Sequence, residues 1–215
     1  MKNLLICDCD EVLLHMVKHF GTWLDERHAI DFDIAGGDFS TSMTRRDGSP
    51  APEREEMWEM LRQFFPDEMH RQTLVPHAAE ALERLAAHAD IVILTNLQDE
   101  CRQPRIEQLA RFGIAHRVEC NQGGKGEPVA RLVAEYGDPI TVFVDDLPVH
   151  HQSVAKHAPQ VHRLHMISEP ALAKTVPAAP DASVRIDDWH AAAEWIEARI
   201  AAGLTATGER PKATA

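Results

Sequence analysis

Short apolar runs and segments with helical periodicity alternate along most of this chain. The apolar runs have the length of buried strands, and helical segments of about ten residues separate them. Because neighbouring parallel strands need a crossover that is usually a helix, the alternation predicts an α/β fold built on a doubly wound parallel sheet. The runs are LLIC (4–7), DIVILTN (90–96), RVEC (117–120), TVFVDD (141–146) and VHRLHMI (161–167), and the helical segments are 76–88, 100–112, 128–136 and 149–157.

One segment, residues 15–74, interrupts the alternation. It has no convincing buried strand but contains two helix-like pieces, MVKHFGTWLDERH and PEREEMWEMLRQFF, with a loop rich in Gly, Ser and Thr between them. We therefore predict a helical insertion after the first strand. The predicted organisation is a core (1–14 and 75–170), the insertion (15–74), a C-terminal extension with a helix capped by Asp187 or Asp188 (171–204), and a flexible tail (205–215).

The acidic composition limits the partners. The formal net charge is −12, from 34 acidic and 22 basic residues, so a nucleic acid polymer would meet a like-charged surface. The longest apolar run is far too short to cross a bilayer, and the first residues do not resemble a secretory signal. The four cysteines lack the spacing of a disulfide framework. We expect a cytoplasmic protein with neither membrane nor nucleic acid polymer as partner, whereas a small anionic substrate is allowed and the oligomeric state is open.

Polar residues stand at the predicted carboxyl ends of three strands. Ligands bind at this edge of an open parallel sheet, so the side chains are expected to converge. A lysine in a glycine-rich loop adds a cation. The residues are Asp8 and Asp10 after the first run, Thr95 and Asn96 at the end of the second, Lys125 in the loop, and Asp145 and Asp146 at the end of the run 141–146.

Four of these side chains are carboxylates, which repel one another in a partly desolvated cleft unless a cation or a proton is present. Oxygen ligands select a hard ion such as Mg²⁺, and the cation would leave room for a phosphate group. Taken alone, Asp8 and Asp10 would be better explained as turn residues or a helix N-cap, and for Asp145 and Asp146 an N-cap of the following helix is the weaker alternative. The predicted metal-binding residues are Asp8, Asp10, Asp145 and Asp146.

The order of these motifs resembles that of the haloacid dehalogenase superfamily of hydrolases. DCDEVL (8–13) is similar to the DxDx(T/V)L signature, and ILTN (93–96), a lysine in a glycine-containing loop and VFVDD (142–146) follow in the family's order. The resemblance covers about residues 3–167 and implies a Rossmann-like catalytic core. The insertion resembles the small helical C1 cap of the family, which implies a lid that excludes water and supplies specificity.

The resemblance implies a role for each residue of the first motif's acidic pair. Asp8 would be the nucleophile that forms an aspartyl phosphate. Asp10 would protonate the leaving oxygen and then activate water. Dehalogenases of this superfamily lack the second acid, so the presence of Asp10 favours phosphate chemistry.

The second and third motifs would act on the phosphate group. The resemblance implies that Thr95 donates a hydrogen bond to the phosphoryl oxygens, with Asn96 beside it, and that Lys125 offsets their charge.

The fourth motif would hold the metal. Asp146 is the predicted direct Mg²⁺ ligand, beside Asp8 and the Asp10 carbonyl, and Asp145 would orient the lysine or a metal-bound water. Many relatives carry another acid or amide about four residues further on, where this chain has His150. This departure affects the predicted geometry of the metal site, because a histidine replaces the acid or amide of those relatives.

Other charged residues have weaker interpretations. Arg45 and Arg46 in the insertion could bind the anionic remainder of a substrate, and plain solvated charges are an equal alternative. His150 and His151 are adjacent on a predicted helix and make a poor chelate, so we expect them on the helix surface, with a position of His150 near the site as an open alternative.

The sequence therefore predicts a Mg²⁺-dependent phosphatase that hydrolyses a small phosphorylated metabolite. A phosphomutase or phosphotransferase would use the same aspartates, and a non-catalytic binding relative of the fold is a further alternative. Nucleotides, sugar phosphates and small acid phosphates are all open as substrates.

Overall fold

The structure, a computed structural model, describes residues 2–36 and 42–211. Within these residues the strands are β1 (Asn3–Cys7), β2 (Ile30–Phe32), β3 (Met43–Arg45), β4 (Ala89–Thr95), β5 (Arg117–Cys120), β6 (Thr141–Asp145), β7 (His162–His165) and β8 (Val184–Arg185). The helices are α1 (Val17–His28), α2 (Arg54–Glu68), α3 (Ala78–Ala86), α4 (Arg102–Arg111), α5 (Gly126–Glu135), α6 (Pro148–His157), α7 (Pro170–Ala173) and α8 (Trp189–Ala202). None of these helices is long and apolar enough to span a membrane.

Six of the strands form one parallel sheet, which confirms the predicted doubly wound α/β fold. Their order is β5-β4-β1-β6-β7-β8, so β1 lies inside the sheet. It is parallel to β4 on one side and to β6 on the other, with Cys7 level with Ile93 and Val144. The residues that follow β1, β4 and β6 therefore lie at one edge of the sheet, at the point where the strand order reverses.

Alternate residues of β1 belong to two apolar layers. Leu5 and Cys7 lie in a buried cluster with residues of α3 and α8, whereas Leu4 and Ile6 lie in a second cluster with residues of α5 and α6. All four side chains are at most 1% exposed. Burial on both faces explains why this strand reads as a continuous apolar run.

The segment between β1 and α3 contains the two predicted helices, α1 and α2. It also contains β2 and β3, a short antiparallel pair that the sequence did not predict. Each strand has three residues and only one of them is buried, which leaves too little periodicity to detect. The buried residues, Ile30 and Met43, join a cluster with Phe20, Trp23 and Phe64 that is separate from the sheet. Residues 37–41 of the predicted loop lie outside the described residues.

The C-terminal extension packs against the sheet. Asp188 Oδ1 accepts a hydrogen bond from the Ala191 N–H at 2.9 Å, as expected of one of the two predicted N-caps of α8. In the tail 205–215, for which we predicted flexibility, residues 206 and 207 form a turn, and the Ala206 N–H donates to the Gln160 carbonyl at 2.9 Å. Residues 212–215 lie outside the described residues.

Candidate active site

Asp8 directly follows β1, an interior strand, and lies at the carboxyl end of the sheet. Its backbone N–H donates to the Val144 carbonyl of β6 at 2.9 Å, which extends the strand pairing by one residue. Lys125 Nζ lies 2.7 Å from Asp8 Oδ1 and 2.7 Å from Asp145 Oδ2. One buried ammonium group therefore joins the ends of β1 and β6.

Lys125 reaches this edge because α5 packs closely against α6. A Cβ atom at Gly126 would lie 2.2 Å from the carbonyl oxygen of Ser153, so only glycine allows the approach. The Gly126 N–H also donates to Ser153 Oγ at 3.0 Å. The glycine after Lys125 is thus part of what places the ammonium group between the two acids.

Three carboxylates at this edge could hold a metal ion. Asp8, Asp145 and Asp146 each offer one oxygen, and these oxygens lie within 4.8 Å of one another. Carboxylate oxygens suit a hard cation such as Mg²⁺. In the part of the chain that the structure describes, the Asp10 side chain is not in this group.

The protonation of these acids also fits a cation. Burial raises the pKa of Asp8 to about 7, and burial followed by the charge of Asp145 raises the pKa of Asp146 well above its usual value. Burial acts to raise the pKa of Asp145 as well, but Lys125, with His150 and the Leu147 N–H, outweighs it and that pKa is lowered. A bound divalent ion favours the ionised form of carboxyl groups beside it. The residues present therefore fit a divalent metal ion.

Asp10, two residues after Asp8, contacts a different set of partners. Arg105 Nη2 donates to both of its carboxylate oxygens, at 2.9 and 3.0 Å. Gln72 Nε2 donates to Oδ1 at 2.8 Å, and Thr95 Oγ1 lies 3.5 Å from Oδ2. The site therefore has two parts, a group of carboxylates around Lys125 and a separately held acid at Asp10.

Solved structures with the same arrangement of elements exist, although no protein-family model and no curated protein matches this sequence. A HAD family hydrolase from Deinococcus radiodurans, with bound phosphate and sodium, is 15% identical with a TM-score of 0.63, and the alignment covers 93% of this chain and 97% of that one. A predicted phosphoglycolate phosphatase from Haemophilus somnus is 16% identical with a TM-score of 0.59, covering 92% of this chain and 97% of that one. YfnB of Bacillus subtilis, a candidate HAD-hydrolase bound to magnesium, is 13% identical with a TM-score of 0.63, covering 91% and 98%.

The chain has the haloacid dehalogenase-like fold. At these identities the likeness establishes the fold, and the activity has to be argued from the site itself.

In this haloacid dehalogenase-like chain, Asn96 lies next to the loop that carries Lys125. Its Nδ2 donates to the Gly123 carbonyl at 2.9 Å, and its Oδ1 accepts from Asn121 Nδ2 at 2.9 Å. The structure brings Asn96 to the predicted edge, where these bonds hold the glycine-rich loop. Its contact with a substrate stays a prediction.

The two arginines of the insertion are engaged elsewhere. Arg45 forms an ion pair with Glu56, and Arg46 forms ion pairs with Asp25 at 2.5 Å and Asp31 at 2.7 Å. Neither arginine contacts the acids of the site among the described residues. The structure therefore does not bring them together with the other predicted residues, and their role in binding stays a prediction.

Sequence reasoning missed Arg105 and Glu11. Arg105 is fully buried on α4, four residues before the buried Leu109. A charged residue at a core-facing position of an amphipathic helix was the available signal. Glu11 Oε1 accepts from the backbone N–H groups of Met16 at 2.7 Å and Val17 at 2.6 Å, so it caps α1 and links the acidic loop to the insertion.

Histidines behind the fourth motif were also misjudged. His150 and His151, expected on the helix surface, are 5% and 0% exposed, so that expectation was wrong. His151 Nε2 lies 3.0 Å from the Asp145 carbonyl oxygen, and His165 Nε2 lies 2.8 Å from the Asp146 carbonyl oxygen. Two imidazole rings thus support the backbone that presents both acids.

Proposed function

We propose that the protein is a Mg²⁺-dependent phosphatase that hydrolyses a small phosphomonoester through an aspartyl phosphate. The observation that carries the proposal is the buried carboxylate of Asp8 beside the Lys125 ammonium, with a second acid, Asp10, two residues further on. A nucleophile, a cation and an acid–base group are the parts that this phosphoryl transfer needs. The likeness to a HAD family hydrolase with bound phosphate supports the same interpretation.

The reaction has two steps. First, a carboxylate oxygen of Asp8 bonds to phosphorus, the bond from phosphorus to the leaving oxygen breaks, and Asp10 gives its proton to that oxygen. Second, Asp10 takes a proton from water, the water oxygen bonds to phosphorus, and the bond between phosphorus and Asp8 breaks. The products are an alcohol and inorganic phosphate, and both carboxyl groups return to their starting forms.

Lys125 and Thr95 would stabilise the charge of the phosphoryl group. Burial acts to lower the pKa of Lys125, but Asp145 and Asp8 outweigh it and the pKa is raised, so the side chain stays charged. Thr95 is 1% exposed at the end of β4, beside Asp10. A fixed cation and a fixed donor in a desolvated site are effective because they need little reorganisation during the reaction.

Mg²⁺ is the proposed cofactor, held by Asp8, Asp145 and Asp146, with the Asp10 carbonyl as a further predicted ligand. When bound, it would offset the negative charge of the phosphoryl oxygens. The all-oxygen donor set and the raised pKa values of Asp8 and Asp146 support this assignment. The magnesium bound to YfnB agrees with it.

A small phosphorylated metabolite is the proposed substrate class. The insertion meets the site through Gln72, whose side chain contacts Asp10, so a long polymer would have to pass the insertion. The net charge of −12 also disfavours nucleic acid.

We propose a cytoplasmic location, since all four cysteines are free thiols.

The first test is the substitution Asp8→Asn. Asparagine keeps the shape of the side chain but cannot form the acyl phosphate, so we expect hydrolysis of p-nitrophenyl phosphate to fall to background. Hydrolysis by the unmodified protein should require Mg²⁺ and stop with EDTA. The measurement is release of p-nitrophenol, with circular dichroism as the check on folding.

Asp90→Asn is the matched control, because Asp90 is a half-exposed acid at the opposite end of the sheet, paired with Lys2. It should leave the rate unchanged. Full activity in Asp8→Asn would contradict the mechanism. A phosphomutase or phosphotransferase would instead pass the phosphoryl group to an acceptor, and release of stoichiometric inorganic phosphate from the substrate separates hydrolysis from transfer.

A further inference from the structure

Arg105 is a charged side chain that the proposed reaction does not use. It is 0% exposed, and it lies on α4, the helix that follows the Thr95 motif. Its Nη2 donates to both carboxylate oxygens of Asp10, at 2.9 and 3.0 Å, and its Nη1 lies 3.3 Å from Cys9 Sγ. Burying a guanidinium group costs free energy unless an anionic partner is present, and here Asp10 is that partner.

The surroundings of Arg105 indicate that its ion pair with Asp10 contributes little to the stability of the fold. Its Nε is buried and has no hydrogen-bond partner among the described residues. Its guanidinium carbon lies 5.9 Å from the ring centre of Phe65, which belongs to the insertion. A buried ion pair with an unsatisfied donor contributes little net stability, and apolar residues of similar volume often do as well.

Asp10, in contrast, is well restrained. Its carboxylate is contacted from three parts of the chain, by Arg105 from α4, by Gln72 from the end of the insertion and by Thr95 from β4. Its side chain is nevertheless 14% exposed, so part of it still faces the cleft. Both Arg105 bonds come from Nη2, so on their own they leave the carboxylate free to turn about the line to that nitrogen, and the Gln72 bond to Oδ1 removes this freedom.

We propose that Arg105 is the positioning residue for Asp10. Arg105 holds the Asp10 carboxyl group in the orientation from which that group exchanges protons with the leaving oxygen and with water. Arg105 acts through Asp10 and does not touch the substrate. The inference rests on the proposed phosphatase function. It also adds a cation to a site whose acids are Asp8, Asp10, Asp145 and Asp146.

Arginine suits this task better than lysine. Its Nη2 belongs to a rigid planar group whose Nη1 lies 3.3 Å from Cys9 Sγ, whereas the ammonium group of lysine is a point charge on a flexible stem. Arg105→Lys should therefore keep the charge and lose much of the orientation. Arg105→Met should lose both while retaining the apolar bulk of the stem.

The test uses two substrates that differ in their need for a proton. Nitrophenolate leaves without protonation, whereas the phenolate of phenyl phosphate is more basic and benefits from an acid. The value of kcat/KM reports the steps up to loss of the leaving group. A misplaced acid can cost on the order of 100-fold, so in Arg105→Met we expect kcat/KM to fall about 100-fold for phenyl phosphate and less than about 10-fold for p-nitrophenyl phosphate.

Arg105→Lys should give an intermediate ratio between the two substrates. Arg111→Met is the matched control, because Arg111 is an exposed arginine on the same helix, and its ratio should equal that of the unmodified protein. If Arg105→Met does not fold, as judged by circular dichroism, the ratio measured for Arg105→Lys decides.

Equal losses for the two substrates in the Arg105 variants, or no loss at all, would overturn the positioning role and leave the proposed function standing. An unmodified protein that hydrolyses neither ester with Mg²⁺ would overturn the proposed function, and this inference with it. The two failures are therefore distinguishable in one set of assays.

Discussion

Individual acids at the sheet edge carry charge that the fold accommodates poorly without a bound cation. Asp146 is an example, since burial, then Asp145, then Asp8 raise its pKa well above the usual value. A raised pKa in the folded state means that the carboxyl group favours folding while protonated, and that this contribution is lost as the pH rises. At pH 8 and without metal, the ionised form of Asp146 therefore opposes folding.

We expect Asp146→Asn to be more thermostable than the unmodified protein at pH 8 in EDTA, because the amide carries no charge. The advantage should shrink as the pH falls and Asp146 is protonated. With Mg²⁺ the order should reverse, because only the unmodified protein gains the binding energy of the ion. The measurement is the Tm by differential scanning fluorimetry at pH 6 and pH 8.

The variant Asp90→Asn supplies the comparison for this experiment, and its Tm should respond to Mg²⁺ as the unmodified protein does. A Mg²⁺-dependent rise in the Tm of Asp146→Asn equal to that of the unmodified protein would remove Asp146 from the metal site.

At the level of elements, the contact between α5 and α6 determines where Lys125 lies. The helices approach so closely at Gly126 that its ideal Cβ position is 2.2 Å from the backbone oxygen of Ser153. Backbone at this position cannot move as the end of a side chain can. The ends of β1 and β6 are joined through Lys125, so a shift of α5 would change the distances to both acids.

Gly126→Ala should separate the two helices, lowering the free energy of unfolding by about 3 kcal/mol and the rate of the proposed phosphatase reaction with it. Gly48→Ala is the control. Gly48 has a φ of +78°, and its Cβ would meet nothing within 4 Å, so the substitution should cost only about 1 kcal/mol of backbone strain. Urea unfolding measures both variants, and equal costs would mean that α5 and α6 separate without resistance.

For the molecule as a whole, the C-terminal helix completes one face of the sheet. Trp189 at the start of α8 is 0% exposed and lies in the same cluster as Leu5 and Cys7 of β1. Its indole Nε1 donates to the Val12 carbonyl at 2.8 Å, two residues after Asp10. The helix α8 therefore supports the loop that carries the first motif.

Trp189→Ala should lower the free energy of unfolding by about 3–5 kcal/mol, because it opens a large cavity and leaves the Val12 carbonyl without its donor. Trp58→Ala is the control, since Trp58 is 50% exposed on α2 and its loss should change stability little. Chemical denaturation followed by circular dichroism gives both values. Similar costs for the two tryptophans would mean that α8 contributes little to the core.

Much of the fold could be predicted because its signals are local. Strands buried on both faces read as continuous apolar runs, and this identified β1, β4 and β6 with their polar ends. The pair β2 and β3 was missed because three residues with one buried side chain carry no usable period. His150 and His151 were misplaced because the polarity of histidine does not reveal which face of α6 is covered.

The sequence by itself determined the alternation of strands and helices, and with it the edge at which Asp8, Thr95, Lys125 and Asp145 meet. Only the tertiary structure decided which acid contacts which cation. Asp10 is paired with Arg105, 95 residues away along the chain, and Asp145 with Lys125, 20 residues away. Such pairs depend on how helices pack on the sheet, and packing at that distance leaves no periodic trace in the sequence.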